Sequence, residues 1–229
     1  ALTKELEKKT GVSFNLLVGR QKNISDFMRK LLVRRFESSV YAFKTSLDYM
    51  IKSSENILSW IDKSGKVPIY KKGDLPSVDD FYQSTDDGLV EVQEKFDKFS
   101  ERGFFEIDMR YINEDFVKDI KSDLALLKSI QKEWFGENCV ISSDPKLDSF
   151  KQLLRDKEKN DNRRKIIVFT EFADTANYLG ERLKDAGLRI FKYTSADASP
   201  HNKERIRANF DAGLKQELQK DDYQILIAT

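Results

Sequence analysis

Apolar residues recur at helical spacing from Ile24 to Ile61. Val40, Phe43, Leu47, Met50, Ile57 and Ile61 form one stripe, with Ser54 filling its gap. No Pro or Gly interrupts residues 20–64, so the spacing predicts one or two long helices there. A second helical pattern covers Leu89–Phe99. A third runs from Asn113 to Phe135, with Phe116, Ile120, Leu124, Leu127, Ile130 and Trp134 on one face. Between the first and second, residues 65–88 gather three Gly, two Pro and five Asp, which is loop chemistry. Long amphipathic helices separated by such a loop bury their stripes against each other or a neighbour. The expectation is an antiparallel helical bundle, with residues 24–140 almost wholly helical.

The pattern changes after Cys139. Asp144-Pro145 is a helix start, an N-cap acceptor followed by Pro at the first helical position, and predicts a helix to about Arg155. The polar run Asp156–Arg164 reads as a linker. Ile166–Phe169 is continuously apolar and β-branched, as in a strand covered on both faces. Asp174–Ala186 is helical in pattern and closed by Gly187, while Arg189–Tyr193 alternates like a more exposed edge strand. Ser199-Pro200 opens a helix to Phe210, Lys215–Asp222 is a charged excursion, and Ile225–Ala228 reads as a buried strand. Residues 165–229 thus spell β-α-β-α-β, half of a parallel sheet, with strand order 2-1-3 expected. The fold class is α/β plus all-α: a helical domain over residues 1–142, then an α/β domain over 143–229.

Composition sharpens this picture. Of 229 residues, 34% are charged and only 14 are Gly or Pro, which favours long solvated helices over an all-β fold. The net charge of +1 hides an uneven distribution. Residues 1–60 hold 11 basic and 6 acidic side chains, residues 61–145 hold 12 and 19, and residues 146–229 hold 17 and 14. The acidic middle is either a plain solvated surface or the sign that a nucleic-acid partner would touch only the two ends. The single Cys139 excludes an internal disulfide framework, and the single His201 excludes a His-based metal triad. No apolar run is long enough to span a membrane and no signal peptide is visible, so a cytoplasmic setting is expected. The missing initiator Met and the apolar end suggest a segment of something larger.

Ligands of an open parallel sheet bind beyond the carboxyl ends of its strands. The residues presented there are Thr170 and Glu171, Thr194 and Ser195, and Thr229. Small hydroxyl side chains beside backbone N–H groups suit a phosphate oxygen. On the first helix, Arg29-Lys30 and Arg34-Arg35 bracket Leu31–Val33; they would face a phosphate backbone or a facing domain, or form a solvated basic face.

Lys165–Leu179, KIIVFTEFADTANYL, resembles motif IV in the second RecA-like lobe of superfamily-two helicases and translocases. Asn202–Phe210 resembles the helix that follows it, and Tyr223–Thr229 is similar to the opening of motif V. Asn23–Ser39 resembles the segment joining the two lobes in bacterial Swi/Snf-type proteins of the RapA kind. Residues 65–140 resemble nothing defensible. By this resemblance the α/β part is the first half of a RecA-like lobe. Thr170, Glu171, Thr194, Ser195 and Thr229, with the basic Lys203, Arg205 and Arg207, would lie along a nucleic-acid backbone.

The resemblance implies a parent that is an ATP-dependent DNA translocase using ATP and magnesium, with double-stranded DNA favoured over RNA. Its partners would include the missing N-terminal RecA-like lobe and a protein bound by the helical bundle. The chain itself holds no Gly-x-x-x-x-Gly-Lys-Ser/Thr loop and no Asp-Glu pair at a strand end. No catalytic residue, metal ligand or cofactor is therefore assigned to it, and alone it should be inactive. The rival reading is a non-enzymatic protein-interaction module on an α/β platform.

Overall fold

The computed structural model describes residues 28–69, 104–161 and 164–229. The helix expected over Leu89–Phe99 and most of the 65–88 loop lie outside these residues. The chain divides into two compact units. Among the described residues one comprises 47–69 and 104–139, the other 28–46, 140–161 and 164–229. Residues 28–46, assigned from the sequence to the helical domain, thus belong to the unit that holds the α/β half.

Residues 28–38 are helical (α1), and α2 follows at once over Val40–Ser64. The break between them has a local cause. Ser39 Oγ accepts from Ala42 N–H at 3.0 Å, a side-chain N-cap that starts a new helix. Gly65 ends α2 with φ +67°, a left-handed conformation in which an L side chain would be strained.

In the first unit the chain then forms β1 (Lys66–Ile69), which pairs antiparallel with β2 (Phe105–Asp108) in the register Lys66↔Asp108. This two-stranded sheet corrects the expectation that residues 24–140 are almost wholly helical. Its cause lies in the core beneath it. Trp60 is fully buried, its Nε1 donates to Glu106 Oε1 at 2.6 Å, and its ring lies 5.4 Å from that of Phe104. A buried indole needs an acceptor, and β2 supplies it. α3 (Asp115–Phe135) runs antiparallel to α2, as pairs Gln131–Asp48 at 2.7 Å and Lys128–Glu55 at 2.6 Å fix. Its expected stripe is only half-buried. Trp134 is 48% exposed, whereas its neighbour Phe135 is buried.

In the second unit α4 (Pro145–Asn160) starts where the sequence indicates, with Asp144 Oδ1 accepting from Leu147 N–H at 2.9 Å. It extends past Arg155, so residues 156–160 are helix and not linker. The remaining elements are β3 (Ile166–Phe169), α5 (Ala173–Asp185), β4 (Ile190–Tyr193), α6 (Pro200–Phe210) and β5 (Ile225–Ala228). All three strands are parallel, as expected. Their order is β3-β5-β4, which puts the third strand in the centre and corrects the expected 2-1-3. The physical reason is coverage. All four residues of β5 are buried, because α4 and α5 pack on the face of Ile225 and Ile227 and α6 on the face of Leu226 and Ala228. β3 is covered on one face only, leaving Ile167 49% and Phe169 78% exposed. With that one change of order, the mixed α/β arrangement keeps the expected three-stranded parallel sheet flanked by helices.

Candidate nucleic-acid interface

Parallel pairing sets Phe169 and Tyr193 both opposite Ala228. The next residue of each strand therefore stands in one row: Thr170, Thr229, Thr194. The row is anchored by its backbone, with Thr170 N–H donating to Ala228 O at 3.0 Å and Thr229 N–H to Tyr193 O at 3.3 Å. Three hydroxyl residues at adjacent strand ends result from register alone.

Their surroundings differ. Thr229 is exposed. Thr194 is buried, and its N–H and hydroxyl both donate to Asp197 Oδ2, at 2.8 and 2.7 Å. This is a capping box for the short 3-10 turn Ser195–Asp197. The Thr194 hydroxyl holds the Asp197 carboxyl below the usual carboxylate range, aided by Lys192 at 3.3 Å. The Thr194 proton is thus committed inside the fold. Ser195, the next residue, is exposed. Thr194-x-x-Asp197 is a capping spacing, so this role is legible in the sequence.

At the other end, Thr170 Oγ1 lies 3.4 Å from Ser38 Oγ, and Ser38 Oγ lies 2.8 Å from Thr175 Oγ1. Ser39 Oγ joins Thr175 at 2.8 Å, so α1, the N-cap of α2 and the start of α5 share one hydroxyl cluster. Glu171 pairs with Arg34 at 3.3 Å. Arg35 pairs with Asp174, donates to Ser46 Oγ and to Ala42 O, and lies over the Phe172 ring at 5.0 Å. Beside Thr170 opens a cavity of about 560 Å³, lined by Ser38, Lys146, Leu147, Phe150 and Tyr178 among others. Lys146 Nζ donates to the carbonyls of Glu37 and Ser38, a cation satisfying the end of α1. Burial, then the adjacent Asp144 carboxylate, pushes the Tyr178 hydroxyl up to about 12, so it stays a donor to Asp144 Oδ2 at 3.0 Å.

The three cations of α6 separate. Lys203 is exposed. Arg207 is 68% exposed and pairs with Asp211 at 3.4 Å. Arg205 turns inward, with its guanidinium 5.0 Å over Phe191 and 5.3 Å over Tyr223, and it donates to the Tyr223 hydroxyl. Helical spacing predicted charge on α6 but not which face meets the two rings. The closeness of Arg34 to Glu171 had no sequence signal, since 137 residues separate them. Among the described residues no three of His, Cys, Asp and Glu converge as a metal site, and no helix is long and apolar enough to cross a membrane.

No protein-family model matches the chain, and no curated protein matches it significantly. Among solved structures it is similar to the helicase domain of Pyrococcus furiosus Hef, at 24% identity over 51% of this chain, with a TM-score of 0.32. The chain spans about a fifth of the length of that structure, 21%.

Proposed function

We propose that the chain is the backbone-gripping part of an ATP-dependent DNA translocase of the Swi/Snf kind. Residues 143–229 would be the first half of the second RecA-like lobe, and the helices before them the inter-lobe region. The observation that carries this reading is the level row Thr170–Thr229–Thr194 at the carboxyl ends of three parallel strands. The motif-like stretches bear on it directly, because KIIVFT and YQILIAT end on two members of that row. Backbone contacts position a nucleic acid without reading its bases, as a translocase requires.

Thr170 and Thr229 are the hydroxyls of this reading, Ser195 extends the row, and Lys203 and Arg207 are its exposed cations. Thr194 and Arg205 support it from inside. ATP and magnesium would belong to the parent. The residues in hand offer neither a phosphate loop nor paired carboxylates at a strand end, so no hydrolytic step is assigned to them.

The test is a salt titration of duplex DNA binding. For two or three phosphates neutralised, log K should fall with log salt at a slope of about 1.8 to 2.7. Thr170→Val and Thr229→Val should each weaken binding by about 0.5–1.5 kcal/mol, equally on every sequence and without changing the slope. Absent binding, or binding indifferent to salt, overturns the reading. It would favour a protein-interaction module, for which the exposed Ile167 and Phe169 on one face are the supporting observation.

A further inference from the structure

We infer that Arg34 is an additional phosphate contact of this interface, and that Glu171 is its resting partner, displaced when a nucleic-acid phosphate arrives. The inference rests on the backbone-binding reading above. It comes from the contrast between two adjacent arginines of α1.

Arg35 is built into the fold. Its side chain is 16% exposed and is held by Asp174, by Ser46, by the Ala42 carbonyl at 3.1 Å and by the Phe172 ring. Releasing it breaks four contacts at once. Arg34 is 65% exposed and is held by a single ion pair of 3.3 Å to Glu171, itself 60% exposed. Water screens such a pair, so it contributes little and opens readily. Arg35 thus fixes the orientation of α1, and Arg34 is left at the surface beside the strand-end row.

Glu171 explains why the pair belongs to the interface. It directly follows Thr170, whose N–H anchors the row on Ala228. An unpaired carboxylate there would repel a phosphate approaching Thr170. The Arg34 guanidinium cancels that charge at rest and can turn its planar donor fork to a phosphate, whose geometry it matches. Arg29 and Lys30 are also exposed on α1, with Lys30 one turn before Arg34. The basic face therefore continues away from the row along the helix.

The experiment uses the full chain and a fluorescein-labelled random-sequence DNA duplex, with anisotropy read across a salt series. Arg34→Ala should lower the log–log slope by about 0.9, the loss of one phosphate contact. Lys184→Ala, an exposed cation of the last turn of α5, is the control and should leave the slope unchanged. Glu171→Gln should tighten binding at low salt about two- to five-fold, because it removes both the competitor and the repelling charge. Wild-type binding with the expected slope that Arg34→Ala leaves unchanged overturns this inference and spares the function proposed above. Glu171→Gln binding no tighter than wild type overturns the displacement. Loss of salt-dependent binding in the wild type itself overturns the parent reading instead.

Discussion

The two outer strands of the parallel sheet flank the same central strand, yet only one is enclosed. Phe191 of β4 and Ile167 of β3 both sit opposite Leu226, in the same layer and on the same face. Phe191 is buried, with the Tyr223 ring 5.0 Å away and Arg205 above it. Ile167 is 49% exposed, and Phe169 on the same strand 78%. The difference arises from the helices and not from the strands. α6 follows β4 and folds over its face, whereas no described element covers that face of β3. The apolar pattern along a strand says which residues share a face; the connection says whether the face is covered.

The ends of the two strands repeat the contrast. Beyond β4, Thr194 spends its donors on Asp197. Beyond β3, Thr170 and the Arg34–Glu171 pair stay within reach of solvent. One corner of the sheet is finished internally and the other keeps an ion pair open to solvent.

The strongest way to break this comparison is truncation of the paired apolar residues. Phe191→Ala should cost about 3–5 kcal/mol, the usual range for a buried Phe. Ile167→Ala should stay within about 0.5 kcal/mol, as at an exposed position. Denaturant-dependent hydrogen exchange of the β5 amides measures both, and similar losses would sink the contrast.

A smaller effect sharpens it at the strand ends. Asp197→Ala removes the cap of the 3-10 turn and should cost about 0.5–2 kcal/mol, while Thr170→Val should change stability by less than about 0.5 kcal/mol. The pH dependence follows from the lowered pKa of Asp197. Its folded value lies below the ordinary 3.8, so its contribution is complete above that pH and is lost as pH falls through the folded value. Asp197→Ala should therefore flatten the acid limb of the stability curve. An acid limb identical to wild type would mean that the Thr194–Asp197 bonds contribute nothing.

The smallest effect separates the arginines of α6. Arg207→Ala should alter stability by no more than about 0.3–0.5 kcal/mol, since its partner is a solvated i,i+4 carboxylate. Arg205→Ala should cost more, about 1–2 kcal/mol, through two cation–π contacts and the Tyr223 bond. Equal costs, read by the same exchange experiment, would contradict the inward placement of Arg205.

What the sequence revealed divides along the same physical line. Helix starts were legible because their chemistry is local. Asp144 and Ser199, each followed by Pro, cap their helices as expected, the second by accepting from Asn202 N–H at 3.2 Å. Three parallel strands were legible because β-branched runs alternate with helical ones. Strand order was not, because Ile166–Phe169 and Ile225–Ala228 are equally apolar and differ only in what packs on them. Of the β1–β2 pair, β1 was hidden in a segment whose Gly and Pro content reads as loop, and β2 in a stretch expected to be helical. At the site, the hydroxyl row followed from the strand ends. The separate fates of Thr170 and Thr194, or of Arg205 and Arg207, depend on partners that periodicity does not specify.

The placement of Trp60 has an optical consequence. The chain contains two tryptophans, Trp60 and Trp134, and both lie in the unit formed by residues 47–69 and 104–139. The strand-end row lies in the other unit, where stacked Tyr41 and Tyr178, with ring centroids 5.0 Å apart, are among the chromophores. Indole emission excited at the red edge therefore watches one unit alone, and tyrosine absorbance contains the other. The molecule thus carries a built-in reporter of the first unit, without any dye attached.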